Sequence, residues 1–206
     1  MTTEEQIREI KKELRASMNG ILSAQMRQAG MPYKLVFGVE LPRLQAIAAE
    51  FPCNRELAQA LWNENIRECK ILASLLMPHD EMCPEIADIW VDEMPTAEIA
   101  QICTMHLLSQ EAWSAELAFQ WIATNDTTRQ LCGFLILARM LQQGAELNER
   151  AELELRDQAE ALLDKSKIIC IQSWNNFSDG SFIEPNTLDR NLMMTILQKE
   201  LSILSK

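Results

Sequence analysis

Apolar residues recur along this chain at spacings of three and four, the mark of amphipathic helices. Over residues 3–18, Ile7, Ile10, Leu14 and Met18 share one face. The pattern resumes past Gly20 with Ile21 and Leu22 and stops at Gly30-Met31-Pro32, which predicts a capping helical hairpin over residues 1–30. From Tyr33 to Met77 three short helices are expected. Gly38 allows a sharp turn, Pro42 stands where a first helical residue would be, and Leu44, Ile47, Ala48 and Phe51 make one stripe. Asn54 can cap a second helix carrying Leu57, Leu61 and Trp62. Asn65 can open a third, with Glu68 in the capping-box position and Ile71, Leu72, Leu75 and Leu76 on the buried face.

Pro78 stops that helix, and Cys83-Pro84 starts another with Ile86, Ile89 and Trp90. Thr96 can cap a helix bearing Ile99, Ile102, Cys103, His106 and Leu107, followed by one with Trp113, Leu117 and Trp121. The Asn125–Thr128 turn precedes a long apolar helix from Arg129 to Gln143, where Gly133 suggests close packing and Gly144 a C-terminal stop. Asn148 then caps an acidic helix with a solvated polar face. Ser178–Ser181 is the clearest loop, set within a break at residues 178–186, and Pro185 restarts a final helix through Leu204. No stretch alternates as a strand does. Short helices of this kind cannot hide their apolar faces alone, so neighbouring units must cover them.

Composition agrees: the chain has 206 residues, is 48% hydrophobic, and its six glycines and seven prolines are few for a loop-rich β fold. One all-α domain over residues 1–206 is expected. The charged, amphipathic start lacks the apolar centre of a signal peptide, and no apolar run nears the ~18 residues of a membrane span, so a cytoplasmic protein is expected. Six cysteines form no CxxC pair and sit mostly among apolar positions, as buried reduced thiols do; His79 and His106 stand apart from any metal-ligand spacing. Neither metal nor cofactor is expected. The net charge is −11, and between Lys70 and Arg129 there is no base but there are ten acids, an arrangement that repels phosphate unless the acids face away.

The turn and helix FGVELPRLQAIA, followed by W-x4-RE-x3-LAxxLL from Trp62 through Arg67 and Glu68 to Leu76, resembles the DNA alkylation repair family, the glycosylases built from HEAT-like repeats. The resemblance runs from about Tyr33 to about Ala138. It implies a HEAT-like, ARM-type α-α superhelix of stacked antiparallel helix pairs that engages duplex DNA in a concave groove. It also implies excision of a cationic alkylated purine, with an aspartate steadying the oxocarbenium sugar and tryptophans lining the groove through cation–π attraction.

In the family those residues occupy a WDxVD-like stretch at a helix start. The matching segment here, residues 96–104, holds no tryptophan, and Cys103 or a neighbour falls where the aspartate belongs. Glu98 is the weak catalytic candidate, one turn early. Arg129 matches by position a family arginine that contacts the DNA backbone, and Trp174 pairs with a second groove tryptophan only across an insertion. Trp113, Arg67 and Lys70 complete the DNA-binding candidates, although tryptophans at this spacing more often belong to a shared core. Two functions follow: a DNA alkylation repair-like protein on duplex DNA, with glycosylase activity in question, or a non-catalytic scaffold whose acidic groove holds a basic protein.

Overall fold

The computed structural model describes residues 1–164, with side chains to residue 159. Ten α-helices account for most of them, and among the described residues the only β pairing is a single bridge between Leu35 and Ile66. No helix among them is long and apolar enough to cross a membrane. The chain divides into two compact units, Met1–Leu107 and Leu108–Lys206.

The first unit contains α1 (Thr3–Ala16), α2 (Gly20–Gln28), α3 (Leu41–Ala48), α4 (Arg55–Trp62), α5 (Arg67–Leu76), α6 (Pro84–Asp92) and α7 (Ala97–His106). Polar caps set most of the starts: Thr2 and Glu5 form a reciprocal capping box, and Asn19, Asn54 and Thr96 accept backbone N–H bonds from Leu22, Leu57 and Ile99. α1 ends before Met18, which is 55% exposed, so the expected stripe closes at Leu14. Pro42 lies in the first turn of α3, behind Leu41.

α5 is the centre of this unit, packed by α3, α4 and α7 and buried at Cys69, Ile71, Leu72, Ala73 and Leu76. Its start differs from the expected capping box. Ile66 occupies the cap position without a side-chain bond, Asn65 instead accepts from the Lys34 N–H at 3.1 Å, and the Glu68 carboxylate accepts from the backbone N–H groups of Phe37 and Gly38 at 3.1 and 2.9 Å. The reason is the turn at residues 37–39. Gly38 has φ 73°, which points successive N–H groups into one concavity that a carboxylate fills better than a helix end does.

Contacts between successive helical units recur at one offset. Lys34 to Asn65, Phe37 to Glu68, Gln59 to Trp90, Trp62 to Glu93 and Arg67 to Glu98 are each 31 residues apart and hydrogen-bonded. This is the register of a stacked repeat, in which each unit is closed by the next. Between two of them Trp62 and Trp90 stack with centroids 4.1 Å apart, both fully buried.

The second unit contains α8 (Ser114–Ile122), α9 (Thr127–Gln142) and α10 (Glu149–Asp164). α9 is buried continuously from Gln130 to Ala138. It lies close against α8 because Gly133 has no side chain: a Cβ there would come within 2.7 Å of the Ala118 carbonyl oxygen. Asn148 Oδ1 accepts from the Ala151 N–H and caps α10. The expected loop at 178–186 and final helix lie outside the described residues.

Candidate nucleic-acid interface

The segment at residues 96–104 forms the start of α7, as expected. Thr96 caps it and also meets the Tyr33 hydroxyl at 2.9 Å, while burial pushes the Tyr33 pKa up. Cys103 is fully buried, and burial pushes its thiol up to about 12. A group so held stays neutral near pH 7 and supplies no negative charge.

Glu98 faces Arg67. Arg67 Nη2 donates to Glu98 Oε1 at 2.6 Å and Nε donates to Oε2 at 2.8 Å, a fork on fork pairing. The second arm, Nη1, donates to the Val39 carbonyl at 3.1 Å and to Glu68 Oε1 at 3.0 Å. Burial alone would pull the Arg67 pKa down, but Glu98 and Glu68 outweigh it and the pKa is raised. Arg67 is 4% exposed, and the Glu98 side chain 30%. Arg67, expected to contact DNA, thus spends its donors inside the protein. The same cluster continues into the 37–39 turn through Glu68, a role that sequence patterning missed; adjacency to Arg67 at a helix start was the available signal.

Lys70, one turn further along α5, also turns inward. Its Nζ donates to the Trp62 carbonyl at 2.8 Å and lies 4.5 Å from the centre of the Trp62 ring, and burial lowers its pKa against the opposing effect of Glu93. Trp62, Trp90 and Trp121 are core residues. On the opposite charge, Asp80, Glu81, Glu85, Asp92 and Glu93 are exposed on and beside α6.

In the second unit, Trp113 is half-buried at the cap position of α8. Arg129 is half-buried in the first turn of α9, and its backbone N–H donates to Asp126 Oδ1 at 2.8 Å. The Asp126 carboxylate therefore already occupies part of that helix end, so an arriving phosphate would depend on the Arg129 side chain more than on the helix terminus. Trp174 lies outside the described residues. Arg67 and Glu98 are thus brought together, Lys70 is directed to a different helix, and Trp113 and Arg129 stand in a separate unit.

No curated protein shows significant similarity to the chain. A solved structure, from a new family of proteins related to the HEAT-like repeat DNA glycosylases with affinity for branched DNA structures, matches with a TM-score of 0.75 and 20% identity, covering 94% of this chain and 82% of its own. That likeness identifies the fold as HEAT-like. The family described as DNA alkylation repair enzyme matches residues 10–169. The chain belongs to the DNA alkylation repair enzyme family.

Proposed function

We propose that the protein binds DNA, branched DNA included, and does not excise alkylated bases through Glu98. The observation that carries this reading is the forked Arg67–Glu98 pair. Base loss leaves positive charge on the sugar, and a carboxylate must be free to face it. Glu98 is already neutralised by a cation on its own chain, and the neutral Cys103 thiol cannot take its place. DNA binding is supported by family membership and by a shared fold with relatives described as having affinity for branched DNA.

In this reading Arg129 and Trp113 contact DNA, joined by Trp174, while Arg67 and Lys70 hold the scaffold together. The exposed acids around α6 would repel phosphate and take no part in holding DNA. Those same acids favour a second reading, a scaffold for a basic protein. A cytoplasmic setting suits buried reduced thiols such as Cys69 and Cys103.

Fluorescence anisotropy with a labelled four-way junction and a labelled duplex, between about 50 and about 200 mM salt, separates the readings. The proposal expects tighter binding to the junction and a loss of affinity with salt for both. Binding to a lysine-rich peptide with no binding to either DNA would favour the scaffold.

A further inference from the structure

The geometry points to an anion site at Arg139, near the end of α9, that takes a backbone phosphate of bound DNA. This rests on the DNA-binding reading and gives the second unit a contact beyond Arg129.

Arginines in last helical turns ordinarily have one of a few structural tasks, and Arg139 has none of them. One task is to satisfy the final carbonyls of the helix. At the end of α9 the backbone does this itself: Gly144, with φ 91°, donates its N–H to Leu141 O at 3.0 Å, and Ala145 donates to Met140 O at 3.0 Å. A second task is pairing with an acid one turn away. The positions available are Leu135, Ile136, Gln142 and Gln143, none of them charged. A third is a tertiary ion pair, and no carboxylate of the described residues lies within 4.0 Å of Arg139.

Yet the side chain is half-buried, and its Nε lies out of solvent with no hydrogen-bond partner. Burial pulls its pKa down with no opposing charge. The contrast with the other arginines is instructive. Arg67 is deeply buried with all three guanidinium nitrogens bonded, Arg43 bonds Glu13 and Ser17, and Arg8, Arg15, Arg27, Arg55 and Arg150 are exposed to water. Arg156 is exposed and bonds Glu152, whereas Arg139 combines half-burial with an Nε that is shut off from water and bonded to nothing.

A guanidinium keeps its proton under such conditions, so the uncompensated charge calls for an anion from outside. The planar fork suits a phosphate, which offers two oxygens at once. Arg129 and Arg139 are ten residues apart, so they lie about 15 Å apart along the α9 axis and within about 80° around it. Over that length one strand of duplex DNA carries about four phosphates. A single strand running along α9 would therefore meet both arginines.

The test uses the full chain with the labelled junction and duplex, comparing the natural protein with Arg139→Gln, Arg139→Lys and the solvated control Arg150→Gln. Arg139→Gln is expected to weaken binding about tenfold and to reduce the salt slope by about one. Arg139→Lys should keep the slope while losing part of the affinity, and Arg150→Gln should stay within about twofold. Thermal unfolding supplies the independent readout: Arg139→Gln should not lower Tm, because it removes an unmatched charge, whereas a structural arginine would lower it. Natural binding by Arg139→Gln, or a loss no larger than that of Arg150→Gln, overturns the site and leaves the DNA reading intact. Failure of the natural protein to bind either DNA overturns both.

Discussion

Arg67 donates to both carboxylate oxygens of Glu98, joining the start of α5 to the start of α7 across 31 residues of sequence. Through its remaining arm Arg67 also meets Glu68, which is itself fully buried and holds the turn at Gly38. One cation thus serves two carboxylates. Removing it leaves Glu68 buried without its charge partner, so Arg67→Ala should cost about 3–5 kcal/mol, read as a lower urea midpoint with an unchanged slope. Glu98→Gln retains Glu68 as a partner and should cost much less. Equal losses for the two variants would contradict the division of roles.

Gly38 and Gly30 separate conformation from contact. Both have positive φ, at 73° and 77°, but a Cβ at Gly38 would sit 2.6 Å from the Asn19 carbonyl oxygen, whereas at Gly30 it meets open space. Gly30→Ala should cost about 1 kcal/mol, the backbone penalty alone. Gly38→Ala should cost about 2 kcal/mol more, since the turn or α2 must shift. Chemical denaturation of the two variants measures the difference, and equal costs would remove the contact from the explanation.

Gly133→Ala should reverse the usual helix rule. At an exposed interior position this change gains up to about 1 kcal/mol. Here the new methyl group would lie 2.7 Å from the Ala118 carbonyl oxygen and 2.8 Å from Ile122 Cγ1, so the two helices must separate. A lower Tm is expected. A higher one would mean that α8 and α9 are less tightly packed than described.

Stability should fall as the solution becomes alkaline. Cys69 and Cys103 are raised from 9.0 to about 12 by burial, so above about pH 9 the unfolded chain releases thiol protons that the folded chain retains. Their contribution is complete below pH 9 and is lost as pH rises towards 12, with a combined slope approaching about 2.7 kcal/mol per pH unit. Lys70, whose pKa is lowered by burial, opposes this near its unfolded pKa with one proton against two. Urea titrations from pH 8 to 10.5 check the sign, and Cys69→Ala with Cys103→Ala should flatten the curve. Unchanged pH dependence in the double variant would assign the effect elsewhere.

The helix starts were legible because the signals are local: Asn54, Thr96 and Asn148 each bond an N–H three residues on. Gly133 was legible for a similar reason, since a glycine inside a long apolar helix has few other uses. The partners of Asn65 and Glu68 were not. Each lies 31 residues or nearly so from its donor, and a local capping box is the cheaper inference when only one strand of the repeat is in view. The inward turn of Lys70 and Arg67 was hidden for a related reason: charge is visible in a sequence, but that the Trp62 ring on the preceding helix and the Glu98 carboxylate 31 residues on would absorb it is decided by packing. The family motif around Arg67-Glu68 was recognisable in the sequence, and its physical meaning, a carboxylate seated in the Gly38 turn, required the structure.

The most direct test of the account is single-turnover excision on duplex DNA containing 7-methylguanine or 3-methyladenine, with the natural protein and Glu98→Gln in excess over DNA and binding followed in the same samples. Binding by both proteins is expected, with base release no faster than in their absence. Release by the natural protein that is abolished in Glu98→Gln would contradict this, because Glu98 would then have to leave Arg67 to face the sugar.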